Sequence, residues 1–206
     1  MYIPEYHRLE NTASTVAFMR DNPFAIVVSG GASPFATHIP VLVCESGNPL
    51  TLRGHLATAN SHWRLLQQQE ETLVIFHGPH AYVSPRLYES RESVPTWNYA
   101  VVHAYGHAEI FQQPERLKDV LLETIQTFDP SYLEQWSSLS EKVRAKMLSQ
   151  ITGFEMPATR LEAKFKLSQN RSQADRARVI ESFQSSQDSA VAGIAKLMRD
   201  LGLADR

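Results

Sequence analysis

All eight histidines of the chain fall in its first 107 residues, which raises metal chemistry first. His103 and His107 stand four apart, the interval at which two imidazoles on one helix face share a zinc ion. Their surroundings, Tyr99-Ala-Val-Val-His-Ala-Tyr-Gly-His107, are those of a strand. Four residues of strand span roughly 13 Å, too far for one ion. His77 and His80 flank Gly78-Pro79 without an evident third ligand. The expectation is therefore no metal site, with the histidines hydrogen-bonded on strands and loops.

Three other stretches gather groups suited to binding. Arg53-Gly-His-Leu-Ala-Thr-Ala-Asn-Ser-His-Trp63 runs from a strand into a helix whose cap candidates are Thr58 and Asn60. A helix start offers free N–H groups to a phosphate, or its side chains simply cap it. Lys166-Leu-Ser-Gln-Asn-Arg171 sets two cations among three hydrogen-bonding side chains where a strand runs out. That suits a phosphate, the polar edge of a flavin ring, or a solvated turn. In Val94-Pro-Thr-Trp-Asn-Tyr99, alternation puts Trp97 and Tyr99 on one face and Asn98 on the other. Exposed, the two rings could stack on an aromatic ligand; core packing is the expectation.

Other chemistries lack their signatures. No G-x-G-x-x-G, Walker A or G-x-S-x-G occurs, and Cys44 is the only cysteine. Dinucleotide, P-loop and serine-hydrolase sites are unsupported. One chain can build neither a disulfide nor a cysteine-based metal centre.

The elements that must carry these residues are mostly strands. Phe24–Ser29 and Phe35–Cys44 are rich in β-branched residues and are separated by Gly30-Gly31-Ala-Ser-Pro34. Ser46-Gly-Asn-Pro49 turns the chain into Leu50–Leu56. Thr72–His77 ends at Gly78-Pro79, and Thr96–Phe111 and Gly153–Leu167 complete six strands. Links of four or five residues require antiparallel pairing. Helices are predicted over Asn11–Asn22, Thr58–Gln69, Pro114–Phe128 and Glu141–Ile151. Two more follow in the last forty residues, broken around Gln184–Asp188. The pattern is α+β, a six-stranded antiparallel barrel with helical insertions.

The chain has 206 residues, with 43% hydrophobic and 20% charged, enough for one sizeable core. Nine Gly, 11 Pro and one Cys exclude collagen-like, disordered and disulfide-framework classes. A net charge of −2 excludes a broadly cationic nucleic-acid coat. Residues 1–158 carry 11 basic and 16 acidic groups, whereas 159–206 carry 9 and 6. The start shows no basic segment leading into an apolar one, and apolar runs last about five residues. A cytoplasmic protein with no membrane partner is expected.

Several short motifs occur in order: Met1-Tyr-Ile-Pro4, Ala36-Thr-His-Ile-Pro40, and Gly54-His-Leu-Ala57 with Asn60 and Trp63. Gly78-Pro-His-Ala-Tyr-Val-Ser-Pro85 and Val94-Pro-Thr-Trp-Asn-Tyr99 follow, then Gly153-Phe-Glu155 leading to Lys164-Phe-Lys-Leu-Ser-Gln-Asn170. Together they resemble the PaiB family, FMN-binding proteins named as negative transcriptional regulators of protease synthesis and sporulation. The resemblance implies the FMN-binding split barrel, with peripheral helices and a helical tail, and a homodimer with FMN at the subunit interface. It implies a split-barrel domain over 1–170 and a helical extension over 171–206, packing on the same domain or on the partner.

The same resemblance suggests where FMN would sit. The His55–Trp63 loop, with Asn60, Ser61 and Trp63, corresponds to the phosphate loop, and Thr37 and His38 to the wall of the isoalloxazine ring. Lys166, Gln169 and Asn170 would form a polar wall, contributed by one subunit or its partner. Trp97 and Asn98 complete the candidate set. Related oxidases carry arginine and lysine in the loop where this chain has Asn-Ser-His. The phosphate charge would then fall to Arg53, Arg64 or a partner cation. The implied function is FMN binding with indirect or flavin-linked regulation, because no helix-turn-helix signature predicts direct DNA contact. One alternative is an FMN-dependent oxidoreductase or flavin reductase served by a nicotinamide cofactor, without an identifiable catalytic residue; His38, His55 and Tyr82 are candidates by neighbourhood alone. A haem-binding split barrel and a structural dimer that has lost its cofactor are the others.

Overall fold

The computed structural model describes residues 1–30, 33–45, 49–68 and 71–204. The chain begins with α1 (Thr12–Asp21), β1 (Phe24–Ser29), β2 (Phe35–Pro40), β3 (Leu42–Cys44) and β4 (Thr51–Ala57). A short α2 (His62–Leu66) leads to β5 (Thr72–Val83), β6 (Thr96–Gly106) and β7 (Glu109–Phe111). Three helices follow: α3 (Pro114–Phe128), α4 (Tyr132–Ser138) and α5 (Glu141–Leu148). The long β8 (Ile151–Lys166) precedes α6 (Gln173–Gln184) and α7 (Ser189–Asp200). Hydrogen bonding orders the strands β2-β1-β5-β6-β8-β4-β3, with β7 also on β8.

The expected α+β class stands, but among the described residues the strand count is eight rather than six. Two stretches read as single strands are each divided. Phe35–Cys44 divides at Val41, whose N–H bonds Pro23 O at 2.9 Å as the last step of the β1–β2 ladder before β3 begins. Thr96–Phe111 becomes β6 and β7, with His107 and Ala108 between them. Gly78-Pro79 does not end a strand, since β5 continues to Val83. A Cβ at Gly78 would lie 2.5 Å from the Phe18 ring, so this glycine admits a ring against the strand instead of making a turn. The helix expected over Thr58–Gln69 shrinks to five residues. Thr58 N–H is committed to Gln150 O, and Asn60 N–H closes a turn on Ala57 O. Gln69 and parts of both expected hairpin turns lie outside the described residues.

Elsewhere local chemistry and structure agree. The Asn11 side chain accepts from Ser14 N–H at 2.9 Å and opens α1. Pro114 starts α3, and Ser140, Ser172 and Asp188 cap α5, α6 and α7. Helix α4 was not expected, because its single buried residue, Trp136, creates no apolar period. Among the described residues, no helix is long and apolar enough to cross a membrane.

Contacts group the chain into two compact units. Unit I comprises Met1–Phe18, His77–Val102 and Glu162–Arg206. Its buried residues include Phe165, Leu167, Ile180, Phe183, Ile194 and Met198, and Phe18 meets Phe165 edge to face at 4.8 Å. Unit II comprises Met19–Phe76 and His103–Leu161. There β1 pairs antiparallel with β2 and β5, and β8 pairs with β4 and β7. Phe111, Leu117, Val120 and Leu148 form one core cluster, joined by Leu121 and Ile151. Gly153 allows this packing, since a Cβ there would lie 2.3 Å from the Phe111 ring.

Candidate functional site

In unit II, the loop after β4 is organised around a buried histidine. His62 is fully buried, with Nδ1 2.8 Å from Thr37 Oγ1 and Nε2 3.0 Å from Ser29 Oγ. Asn60 donates through Nδ2 to the same Thr37 oxygen at 3.2 Å, and its Oδ1 accepts from His62 N–H at 3.0 Å. Thr37 Oγ1, already accepting from Asn60, can donate its proton to His62 Nδ1 or accept a second bond from it. Both ring nitrogens are therefore engaged by hydroxyls that can donate or accept, so either neutral tautomer is satisfied. Burial lowers the His62 pKa and favours the neutral ring. The Ser–His–Thr arrangement resembles a nucleophile relay in composition only, because Ser29 is 2% exposed and His62 is 0% exposed. It is an anchor for the loop.

Around that anchor lie groups that can reach a ligand. Ser61 is exposed, while Thr37 and Asn60 are half-buried. Trp63 is fixed by Nε1 donating to Thr58 O at 3.0 Å. His38, exposed on β2, has its ring 6.4 Å from that of Phe24. His55, on β4, is half-buried, and desolvation lowers its pKa.

The cations near this loop have other partners. Arg53 Nη1 donates to Glu123 Oε2 at 2.6 Å, and Arg53 Nε lies 2.7 Å from Glu155 Oε1, a close charge pair off the N–H axis. Glu155 also receives Arg116 Nη2 at 2.8 Å, and Arg116 Nη1 meets Glu109. Cys44 Sγ extends the chain by donating to Glu123 Oε1 at 3.0 Å. Arg64 stacks over the Trp63 ring at 4.5 Å.

Unit I holds the remaining sequence-predicted residues. Trp97 is 52% exposed, contrary to the expectation of core packing, and its ring lies 6.1 Å from His80 and 6.0 Å from Tyr82. Asn98 points inward and is fully buried against Ser168. The Lys166 ammonium donates to Thr96 Oγ1. Gln169 Oε1 accepts from Leu167 N–H at 2.8 Å and from His7 Nδ1 at 2.9 Å. Asn170 is exposed at the strand end.

Thus Thr37, Asn60 and Ser61 gather around His62, whereas Asn98, Lys166 and Asn170 line one pocket of unit I with Gln169 bonded to His7. Sequence reasoning missed Ser29 and His7. Neither belongs to a local motif, and His7 meets its partner across 162 residues of chain. Among the described residues, no group of three or more His, Cys, Asp or Glu is placed to hold a metal ion.

Comparison with known proteins bears on the chain as a whole. The sequence profile of the family described as "Putative FMN-binding domain" matches residues 1–160. The chain is 36% identical over 203 residues to protease synthase and sporulation protein PAI 2 of Bacillus subtilis, covering 97% of each. It is 31% identical to protein AN0679 of Emericella nidulans, covering 98% of each. Among solved structures, the flavocytochrome Anf3 of Azotobacter vinelandii has a TM-score of 0.62 at 18% identity, over 80% of this chain and 72% of that one. A FAD- and haem-binding protein of Mycobacterium smegmatis has a TM-score of 0.59 at 14% identity, over 78% and 73%. These two likenesses concern the fold, which is that of the split-barrel class.

Proposed function

The chain belongs to the FMN-binding domain family that its sequence profile defines, and from that premise we propose a homodimeric, flavin-linked regulator of the PaiB kind. The observation that carries this reading is the loop after β4, where the Thr37 and Asn60 side chains are fixed by buried His62 beside exposed Ser61. Its groups suit FMN by chemistry: the exposed Ser61 hydroxyl and the second N–H of the fixed Asn60 amide can meet phosphate or ring oxygens. FMN, when bound, supplies the electron chemistry, and the chain's residues bind, orient and exclude water.

In this reading Thr37, His38, Arg53, His55, Asn60, Ser61 and Trp63 form the flavin side of one subunit. Lys166, Gln169 and Asn170, with Trp97, face the cofactor from the other, and buried Asn98 supports that wall through Ser168. Arg53 already meets two carboxylates, so a partner cation supplies charge for the phosphate. Residues 1–170 carry the flavin site, and 171–206 form a helical extension. Regulation is indirect, through a flavin-dependent partner, and a nicotinamide cofactor is the candidate electron donor.

The test is the visible spectrum of purified protein after FMN loading and desalting. Retained flavin near one per chain is expected, with retention lost in the double variant T37A/N60A. A colourless protein overturns flavin binding, and a Soret band in its place favours the haem alternative. Tight, specific gel-shift binding of DNA by the pure protein overturns the indirect mechanism.

A further inference from the structure

Unit II neutralises its central arginines: Arg53 and Arg116 each meet two carboxylates. Unit I does the opposite with Lys164, Lys166 and Arg171, none of which has an ion pair among the described residues. Lys164 is 9% exposed, and its ammonium is held by Tyr2 O at 3.0 Å and by the rings of Tyr2 and Tyr99 at 5.6 and 5.4 Å. Lys166 has only the Thr96 hydroxyl. Arg171 lies over the Tyr88 ring at 4.1 Å and reaches Ser93 Oγ at 3.3 Å. Lys164 is buried and Lys166 and Arg171 are half-buried, and gathering such cations without counter-charge is costly, so the cluster calls for an anion.

Lys166 and Arg171 border a pocket of about 150 Å³, and Lys164 lies outside its lining. Thr96, Asn98, Lys166, Ser168, Asn170 and Arg171 lie on its walls, and no carboxylate does. Pockets that enclose whole drug-sized ligands run to roughly 300–1,000 Å³. This one has room for a single small polar group. Its floor is rigid: Asn98 and Ser168 are buried and satisfy each other. Burial, then Lys164 and Arg171, lower the Lys166 pKa, the mark of positive charge without compensation.

We propose that this pocket is an oxyanion site, binding one phosphate-sized group through Lys166 and Arg171 with Thr96 and Asn170 as neutral donors. The group is either a free small anion or the phosphate of a flavin, and the site goes beyond the loop-centred reading of FMN binding.

Calorimetric titration of the flavin-free full chain with inorganic phosphate tests this, with chloride at equal ionic strength as control. Saturable binding near one per chain is expected, weakened about tenfold or more in both K166Q and R171Q, as loss of a charge-assisted hydrogen bond implies. Thermal melts establish that each variant is folded. Displacement of phosphate by FMN but not by riboflavin identifies the flavin's own phosphate as the anion. Unchanged phosphate binding to flavin-loaded protein identifies a separate small anion. Either result supports the site. Absence of saturable binding, or equal binding in both folded variants, overturns it. Flavin retention without phosphate binding sinks this proposal alone, whereas phosphate binding without flavin retention sinks only the flavin reading.

Discussion

Asn98 and Ser168 pair reciprocally across unit I: Asn98 Nδ2 donates to Ser168 Oγ at 3.0 Å, and that hydroxyl lies 3.2 Å from Asn98 Oδ1. Ser168 makes this pair from the left-handed φ of 61° that non-glycine residues avoid. S168A keeps the backbone penalty and strands a buried amide, a loss of about 1–3 kcal/mol. S168G strands the same amide but accepts the backbone angle. Denaturant melts should rank wild type above S168G, and S168G above S168A. The reverse order for the two variants would show that backbone conformation is not part of the cost.

Glu155 should matter more than Glu109, although both bind Arg116. Glu155 bridges two arginines with its side chain 27% exposed, whereas the Glu109 side chain is 64% exposed. E155Q weakens two pairs at once, for about 1–2 kcal/mol, and E109Q costs under about 1 kcal/mol. Equal effects in chemical denaturation would contradict the network.

Cys44 should be a slow thiol. Burial, then its hydrogen bond to Glu123 and that carboxylate's charge, push its pKa up to about 12. At pH 8 this leaves a thiolate fraction on the order of one in ten thousand. Disulfide exchange with an aromatic disulfide should therefore run far slower than for a free thiol. It should accelerate in E123Q, where the carboxylate's charge is gone. A native rate matching free cysteine would contradict the placement.

Stability should decline on mild acidification. Burial lowers the pKa of His62 and of His55, so the unfolded chain takes up protons first as pH falls. Their contribution is intact above the ordinary histidine value near 6.5 and diminishes below it. H62Q should flatten the slope of melting temperature between pH 7 and pH 5, while starting lower through loss of the Ser29 and Thr37 bonds. An unchanged slope would show that the ring is not held neutral.

Legibility in the sequence followed the range of the physics. Strand β1 and helix α3 were readable to the residue, because β-branched runs and a proline-started apolar stripe are local signals. Gly78-Pro79 misled, since the glycine answers to Phe18, some sixty residues away, and not to its neighbours. The polar segments were found by type and spacing. The fate of Arg53 was not, because Glu123 and Glu155 reach it only through the pairing of β4 with β8 and the placement of α3. His7 carried no signal before Gln169 was seen beside it.

The unpaired trio of Lys164, Lys166 and Arg171 has a consequence for how the molecule meets its solvent. Ionic strength acts with opposite signs on attraction and repulsion. Added salt weakens the arginine–glutamate chain of unit II but relieves the mutual repulsion of the three cations in unit I. No single salt response then describes the protein: the same buffer that loosens one unit steadies the other.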